Sequence, residues 1–241
     1  MIRAVVFDLD NTLVDFMKMK AVAVDAAIDG MIDAGLRLSR DDLKVRIDAI
    51  YRKQGLEYQR VFDELLEREL GQIDPKILAS GIVAYRRARG SALVLYPHVS
   101  MTLLELAKRS IRLGVVSDAP RFQVWLRLCD LSLQHVFDAV VAFDDTGQTK
   151  PGPAPFQEVL RRLEVAPQEA LMVGDWAERD VVGGKSLGMK TVFARYGDTF
   201  DTKESGADYD IDDVFELVAI ADALNGTEAA TARDARGAAS P

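Results

Sequence analysis

Apolar and polar residues recur at two different periods in this chain, and the change of period divides it. Ala4 to Phe7 is a short unbroken apolar run that stops at Asp8 and Asp10. A run of that length reads as a buried strand, because a helix needs ten or more residues to show its period. After Asp15 the spacing turns helical. The first helix is predicted over Met17 to Ala34, with Val24, Ile28, Met31 and Ile32 as its stripe and Gly35 near its end. Ser39 with Asp42 resembles a capping arrangement, followed by Leu43, Ile47, Ile50 and Tyr51 until Gly55 stops the pattern. A third helix is predicted over Glu57 to Leu70, its inner face formed by Val61, Phe62, Leu65, Leu66 and Leu70. Asp74-Pro75 opens a fourth that carries Ile77, Leu78, Ile82 and Tyr85. Arg86, Arg87 and Arg89 close it, where cations complement the negative end of the helix dipole.

From Pro97 onward helical segments alternate with short β-branched runs, the signature of a parallel sheet with crossover helices. Strands are predicted at Leu113–Val116, Ala139–Ala142, Leu171–Val173, Thr191–Phe193 and Tyr209–Ile211. Helices are predicted at Thr102–Arg109, Phe122–Asp130, Pro155–Leu163, Asp180–Leu187 and Val214–Leu224. From Asn225 the chain is alanine, glycine, threonine and charge without an apolar face, so 225–241 is expected to be a flexible tail. The expected class is α/β, a parallel sheet interrupted after its first strand by a helical module.

Composition narrows the function classes. With 241 residues, 49% hydrophobic and 28% charged, the chain can bury a substantial core as one large domain or two unequal ones. A net charge of -8 argues against a general nucleic-acid binder, which needs basic blocks to neutralise phosphates. Cys129 is the single cysteine and cannot form an intramolecular disulfide; with Leu128 and Leu131 beside it, it is expected on a packed helix face. The first apolar run is too short for a secretory signal, and no apolar run reaches about 18 residues. The expectation is a cytoplasmic protein with no membrane partner.

The chemistry sits at the predicted strand ends. Alternation places Asp8 and Asp10 on the same side at the carboxyl end of the first strand, where open α/β sheets bind ligands. Paired carboxylates there suit magnesium, an oxygen-ligated cation, and so suggest metal-assisted phosphoryl chemistry. The plainer account is a buried strand followed by an acidic turn. The next strand ends in Ser117-Asp118, the loop after the third carries Lys150-Pro151, and the fourth ends in Gly174-Asp175 with Asp180 following. Taken singly, Ser117 and Thr12 could be turn or cap residues, Lys150 a surface lysine and Asp180 a helix N-terminal acid.

Taken together, Asp8-Leu9-Asp10-Asn11-Thr12, Ser117, Lys150 and Gly174-Asp175 through Asp180 resemble, in order and in strand placement, the four motifs of the haloacid dehalogenase-like hydrolase superfamily. The resemblance spans about residues 1 to 224. It implies a Rossmann-like catalytic core over 1–15 and 93–224 with an inserted four-helix cap over 16–92. It also implies Asp8 as a nucleophile that forms an aspartyl-phosphate, with Asp10 as acid and base. Mg2+ would lie among the Asp8 carboxylate, the Asp10 backbone carbonyl and the Asp175 carboxylate, with Asp180 close by or behind. Lys150, Ser117 and the backbone amide of Asp118 would hold phosphoryl oxygens, and Thr12 would order the first loop. Trp176 is bulkier than the residue often found there in the family, and would pack under the cap or touch substrate.

The four-helix insertion is similar to the C1-capped group. Ile82-Val83-Ala84-Tyr85, the Ala170–Asp175 stretch and Gly188-Met189-Lys190-Thr191-Val192 followed by Arg195-Tyr196-Gly197 look most like archaeal glyceraldehyde-3-phosphate phosphatase-like members. The implied activity is a magnesium-dependent phosphatase acting on a small phosphorylated metabolite. A phosphomutase would use the same motifs. A 2-haloacid dehalogenase usually lacks equivalents of Asp10 and Asp175, and a non-catalytic binding protein would normally have lost a member of the set.

Overall fold

The computed structural model describes the backbone of residues 1–237 and the side chains of residues 1–226. The chain divides into two units, Phe16–Val94 on the one hand, and Met1–Asp15 with everything from Leu95 onward on the other.

The helical unit contains α1 (Phe16–Asp33), α2 (Arg40–Gln54), α3 (Val61–Leu70) and α4 (Pro75–Ala92). Local signals set most of its boundaries. Ser39 Oγ accepts the Asp42 N–H at 3.1 Å, and Asp74 Oδ1 accepts the N–H groups of Lys76 at 2.9 Å and Ile77 at 3.1 Å, so both helix starts have their otherwise orphaned donors paired. Gly71 takes the left-handed conformation that ends α3. That helix begins at Val61 rather than at Glu57, because Val61 and Phe62 are its first buried side chains and Leu56 ahead of them is exposed. The helix α4 runs on to Ala92, so Arg86 and Arg87 lie within it, and only Arg89 belongs to its last turn. Glycines bring α1 and α4 close together: a Cβ on Gly30 would come within 2.9 Å of the Ser80 carbonyl oxygen, and one on Gly81 within 2.7 Å of Met31 Cγ. Ile28, Met31, Leu43, Ile47, Leu65 and Leu66 form the apolar centre of this unit. Lys20 is buried beside it, donating to the Leu56 carbonyl at 2.8 Å and to the Tyr85 hydroxyl at 3.2 Å, with Nζ 4.3 Å from the centre of the Tyr51 ring.

The second unit is built on a parallel sheet of β1 (Ala4–Phe7), β2 (Arg112–Val116), β3 (Ala139–Val141), β4 (Ala170–Gly174), β5 (Lys190–Ala194) and β6 (Tyr209–Ile211), in the spatial order β3-β2-β1-β4-β5-β6. Strand β1 is central, with Phe7 opposite Val115 of β2 on one side and Val173 of β4 on the other. Its four residues are fully buried, which is why they read as a continuous apolar run rather than an alternating one. The remaining helices are α5 (Val99–Lys108), α6 (Arg121–Asp130), α7 (Phe143–Thr146), α8 (Pro153–Leu163), α9 (Val182–Ser186) and α10 (Glu216–Gly237). From α8, Phe156, Val159, Leu160 and Leu163 pack with Ala4, Val6, Val116, Val141 and Met172 from the strands. The fold is thus the α/β arrangement expected, and no described helix is long and apolar enough to cross a membrane.

Three further expectations need correction. The helix anticipated over Asp180–Leu187 begins as a π-helical turn, Ala177–Val181, and only then becomes α9. Cys129 is exposed, not packed: α6 turns Val124, Arg127 and Leu128 inward, and the cysteine is carried past that face. The chain does not become a tail at Asn225. Helix α10 continues through it, and the Asn225 amide clasps β1's approach, its Oδ1 accepting the Ile2 N–H at 2.6 Å and its Nδ2 donating to the Ile2 carbonyl at 3.1 Å. The last of the tail expected there, 238–241, lies outside the described residues.

Candidate active site

The strand order reverses around β1: the connection leaving it leads to β2 on one side, and the chain later returns to β4 on the other. Such a switch point opens a crevice beyond the carboxyl ends of the strands. Asp8 leaves β1 there while its N–H still donates to the Val173 carbonyl at 2.8 Å, so the sheet ladder holds its backbone. Ser117 leaves β2, its N–H bonded to the Val141 carbonyl at 2.9 Å, and Asp175 leaves β4 directly after Gly174.

Lys150 joins these strand ends. Its ammonium is buried and donates to Asp8 Oδ1, to Asp180 Oδ1 at 2.7 Å and to the Val116 carbonyl at 3.3 Å. Its backbone N–H donates to Asp118 Oδ1 at 2.9 Å, and Asp118 Oδ2 accepts from Arg179 Nη1, also at 2.9 Å. The Asp118 carboxylate therefore anchors the lysine loop. Thr12, fully buried, donates from Oγ1 to Asp175 Oδ1 at 3.0 Å. The loop after β5 supports Thr12 in turn: the Tyr196 hydroxyl donates to the Thr12 carbonyl at 2.8 Å, and a Cβ on Gly197 would fall 1.7 Å from the Asn11 carbonyl oxygen. Ser117 Oγ accepts the Ala119 N–H at 3.2 Å, a turn contact of the plainer kind, while remaining at the same rim.

Asp8, Asp175 and Asp180 each offer a carboxylate oxygen to a group whose members all lie within 4.8 Å of one another, and all three residues are buried. Asp180 reaches this group only because Gly174 lacks a side chain, since a Cβ there would sit 2.2 Å from the Asp180 carboxylate carbon. Gly174→Ala is expected to leave a folded protein whose kcat falls about 100-fold, the scale of an ångström-sized displacement at a reacting centre. Steady-state turnover alongside a thermal melt checks this.

The electrostatics of the cluster are unbalanced, with three carboxylates and the Lys150 ammonium in one buried space. Burial pushes the Asp8 carboxyl well above its ordinary range; Lys150 opposes the shift, and Asp180, Asp175 and Asp10 reinforce it. Burial, then the Asp180 charge, raises Asp175 to about 7, against Lys150 and the Thr12 hydrogen bond. Burial works against the charge on Lys150, but Asp180, Asp8 and Asp118 outweigh it and hold its pKa above the usual value. An all-oxygen donor set with excess negative charge fits a small divalent cation such as magnesium.

The carboxylate of Asp10 stands apart from the three-acid group and meets Arg127, whose Nη1 lies 3.2 Å from Asp10 Oδ2. Sequence reading passed over Arg127, although an arginine between Val124 and Leu128 on an otherwise apolar helix face was a visible signal. Arg179 was also missed. Its guanidinium lies 3.7 Å from the centre of the Trp176 ring, which in turn packs against Phe200 with 4.4 Å between ring centres.

The sequence matches the family model described as haloacid dehalogenase-like hydrolase over residues 5–194. A glyceraldehyde 3-phosphate phosphatase of Methanopyrus kandleri is 37% identical over 219 residues, covering 90% of this chain and 93% of the relative. One from Methanocaldococcus jannaschii is 34% identical over 223 residues, covering 91% of this chain and 97% of the relative. Among solved structures, a phosphatase from Thermococcus onnurineus superposes with a TM-score of 0.70 at 27% identity, covering 91% of this chain and 97% of that one.

Proposed function

Because the chain belongs to the haloacid dehalogenase-like hydrolases and is a phosphatase of that family, we propose that it hydrolyses a small phosphorylated metabolite with magnesium, by way of a phosphoryl group carried on Asp8. The observation that carries this reading is the buried Lys150 ammonium bridging Asp8 and Asp180 within the three-carboxylate cluster. The carboxylates of Asp8 and Asp175 and the backbone carbonyl of Asp10 would hold the metal, with Asp180 alongside. When bound, the ion supplies positive charge against the like-charge repulsion between a carboxylate and a phosphate, roughly 4 kcal/mol per unit-charge pair at 4 Å and an effective dielectric constant of 20.

The protein's own groups account for the remaining chemistry. Asp8 Oδ attacks phosphorus, and the bond from phosphorus to the ester oxygen breaks as the new one forms. Asp10 in its protonated form gives its proton to that leaving oxygen. Asp10, now a carboxylate, then takes a proton from water; the water oxygen attacks phosphorus, phosphate departs and the Asp8 carboxylate is regenerated. Lys150, Ser117 and the Asp118 backbone amide place positive charge and N–H or O–H donors where phosphoryl oxygens carry negative charge. Thr12 keeps Asp175 oriented through its hydroxyl.

The relatives' names make glyceraldehyde 3-phosphate the first ester to test, followed by other small phosphorylated metabolites. The expected result is release of inorganic phosphate with magnesium present and its loss on adding EDTA. Unchanged release in EDTA would remove the metal from the reading. Conversion of a sugar phosphate to its isomer without free phosphate would replace hydrolysis by a mutase reaction.

A further inference from the structure

Arg127 is a charged residue in an apolar position. On α6 it stands between Val124 and Leu128, both fully buried, and its own side chain is 4% exposed. The Asp10 carboxylate that it meets keeps 21% exposure. Withdrawing a guanidinium from water is costly unless a carboxylate compensates, and here the compensating carboxylate is itself partly exposed. The main chain around Asp10 is already secured, because Asp10 bridges to Val14 and the Asn11 N–H donates to the Val14 carbonyl at 2.7 Å. The rotatable bonds of the Asp10 side chain are a separate matter, and the guanidinium grips them from the far end. Helix α6 starts close behind Ser117-Asp118, so the segment leaving the second strand end also reaches back to the first.

We propose that Arg127 is a positioning residue for the phosphatase reaction, holding the Asp10 carboxyl in the orientation from which it delivers a proton to the leaving oxygen. This rests on the reading above, in which Asp10 serves as acid and base. A residue of this kind matters most where the leaving oxygen most needs a proton. An alkoxide leaves poorly without one, whereas p-nitrophenolate is stable as an anion near neutrality and leaves without help. A purely structural role for Arg127 would slow both esters alike.

The experiment compares kcat and KM of wild type, Arg127→Met and Arg127→Lys with magnesium on p-nitrophenyl phosphate and on glycerol phosphate, and repeats Arg127→Met in an Asp10→Asn background. Arg127→Met is expected to lower kcat/KM on glycerol phosphate, which reports phosphoryl transfer to Asp8 with departure of the alkoxide, about 100-fold, as for loss of one acid–base group. Its kcat/KM on p-nitrophenyl phosphate should change by less than about fivefold, whereas kcat also contains the water step that both esters share. Arg127→Lys should recover part of the loss. In the Asp10→Asn background Arg127→Met should have little further effect on glycerol phosphate. Equal losses on the two esters, no loss, or an undiminished effect without the Asp10 carboxyl would overturn the proposal. Should Arg127→Met fail to fold, the same leaving-group comparison on Arg127→Lys decides the matter. Wild-type enzyme that releases phosphate from neither ester would overturn the phosphatase reading and this inference with it.

Discussion

On the proposed mechanism, Asp8→Asn is expected to reduce phosphate release on the order of 10⁴-fold or more, because an amide in place of the proposed nucleophile forms no bond to phosphorus. The same substitution should not destabilise the metal-free protein. In wild type the Asp8 carboxyl is pushed up by burial and by the charges of Asp180, Asp175 and Asp10, so its ionised form is held at a cost. A neutral amide removes one member of a crowded acidic group, while Lys150 retains Asp180 as partner at 2.7 Å. Single-turnover phosphate release and a thermal melt in EDTA check the two halves separately. An inactive variant whose Tm collapsed would mean that Asp8 is needed for folding, and its inactivity would then say nothing of chemistry.

Lys150→Met carries the second large effect, and here stability and activity fall together. The ammonium is buried between Asp8 and Asp180, and its removal leaves two buried carboxylates facing each other. Breaking a buried pair by deleting one partner costs about 3 kcal/mol or more. Activity is expected to fall about 10³-fold, as when a group that stabilises charge in the transition state is lost. Magnesium should raise the Tm of Lys150→Met more than that of wild type, since an acidic cluster without its internal counter-charge attracts a divalent cation more strongly. A Tm unchanged by the substitution, or a smaller magnesium response than in wild type, would contradict the electrostatic account of the site.

The strands at the site were legible because β1, β2, β4 and β5 are buried almost throughout and so read as nearly unbroken apolar runs. Ala4–Phe7 and Tyr209–Ile211 have the predicted limits, and the runs at Arg112–Val116, Ala170–Gly174 and Lys190–Ala194 extend the predicted ones by a residue or so at the ends. Residues such as Asp74 and Gly71 marked helix ends in the same local way, through side-chain capping and a left-handed backbone. Where local signals were weak the reading strayed. The helix α7 spans too few residues to show a period. The π-helical turn at Ala177–Val181 has a helical sequence, but its geometry brings Asp180 Oδ2 to the Trp176 N–H at 3.1 Å and Oδ1 to Lys150. Cys129 looked apolar by its neighbours, yet a single residue around the helix separates it from the buried face.

Element type and the residues at strand tips followed from short stretches of chain, since burial, capping and turn chemistry act over a few residues and leave their mark in composition and spacing. Which groups meet did not, because those pairs join residues far apart in the chain: Lys150 with Asp8, Thr12 with Asp175, Arg127 with Asp10, the Asn225 amide with the Ile2 backbone. Such contacts depend on strand order and on close approaches like that of Gly174 to Asp180, which arise when the sheet is assembled and leave no periodic trace in the residues themselves.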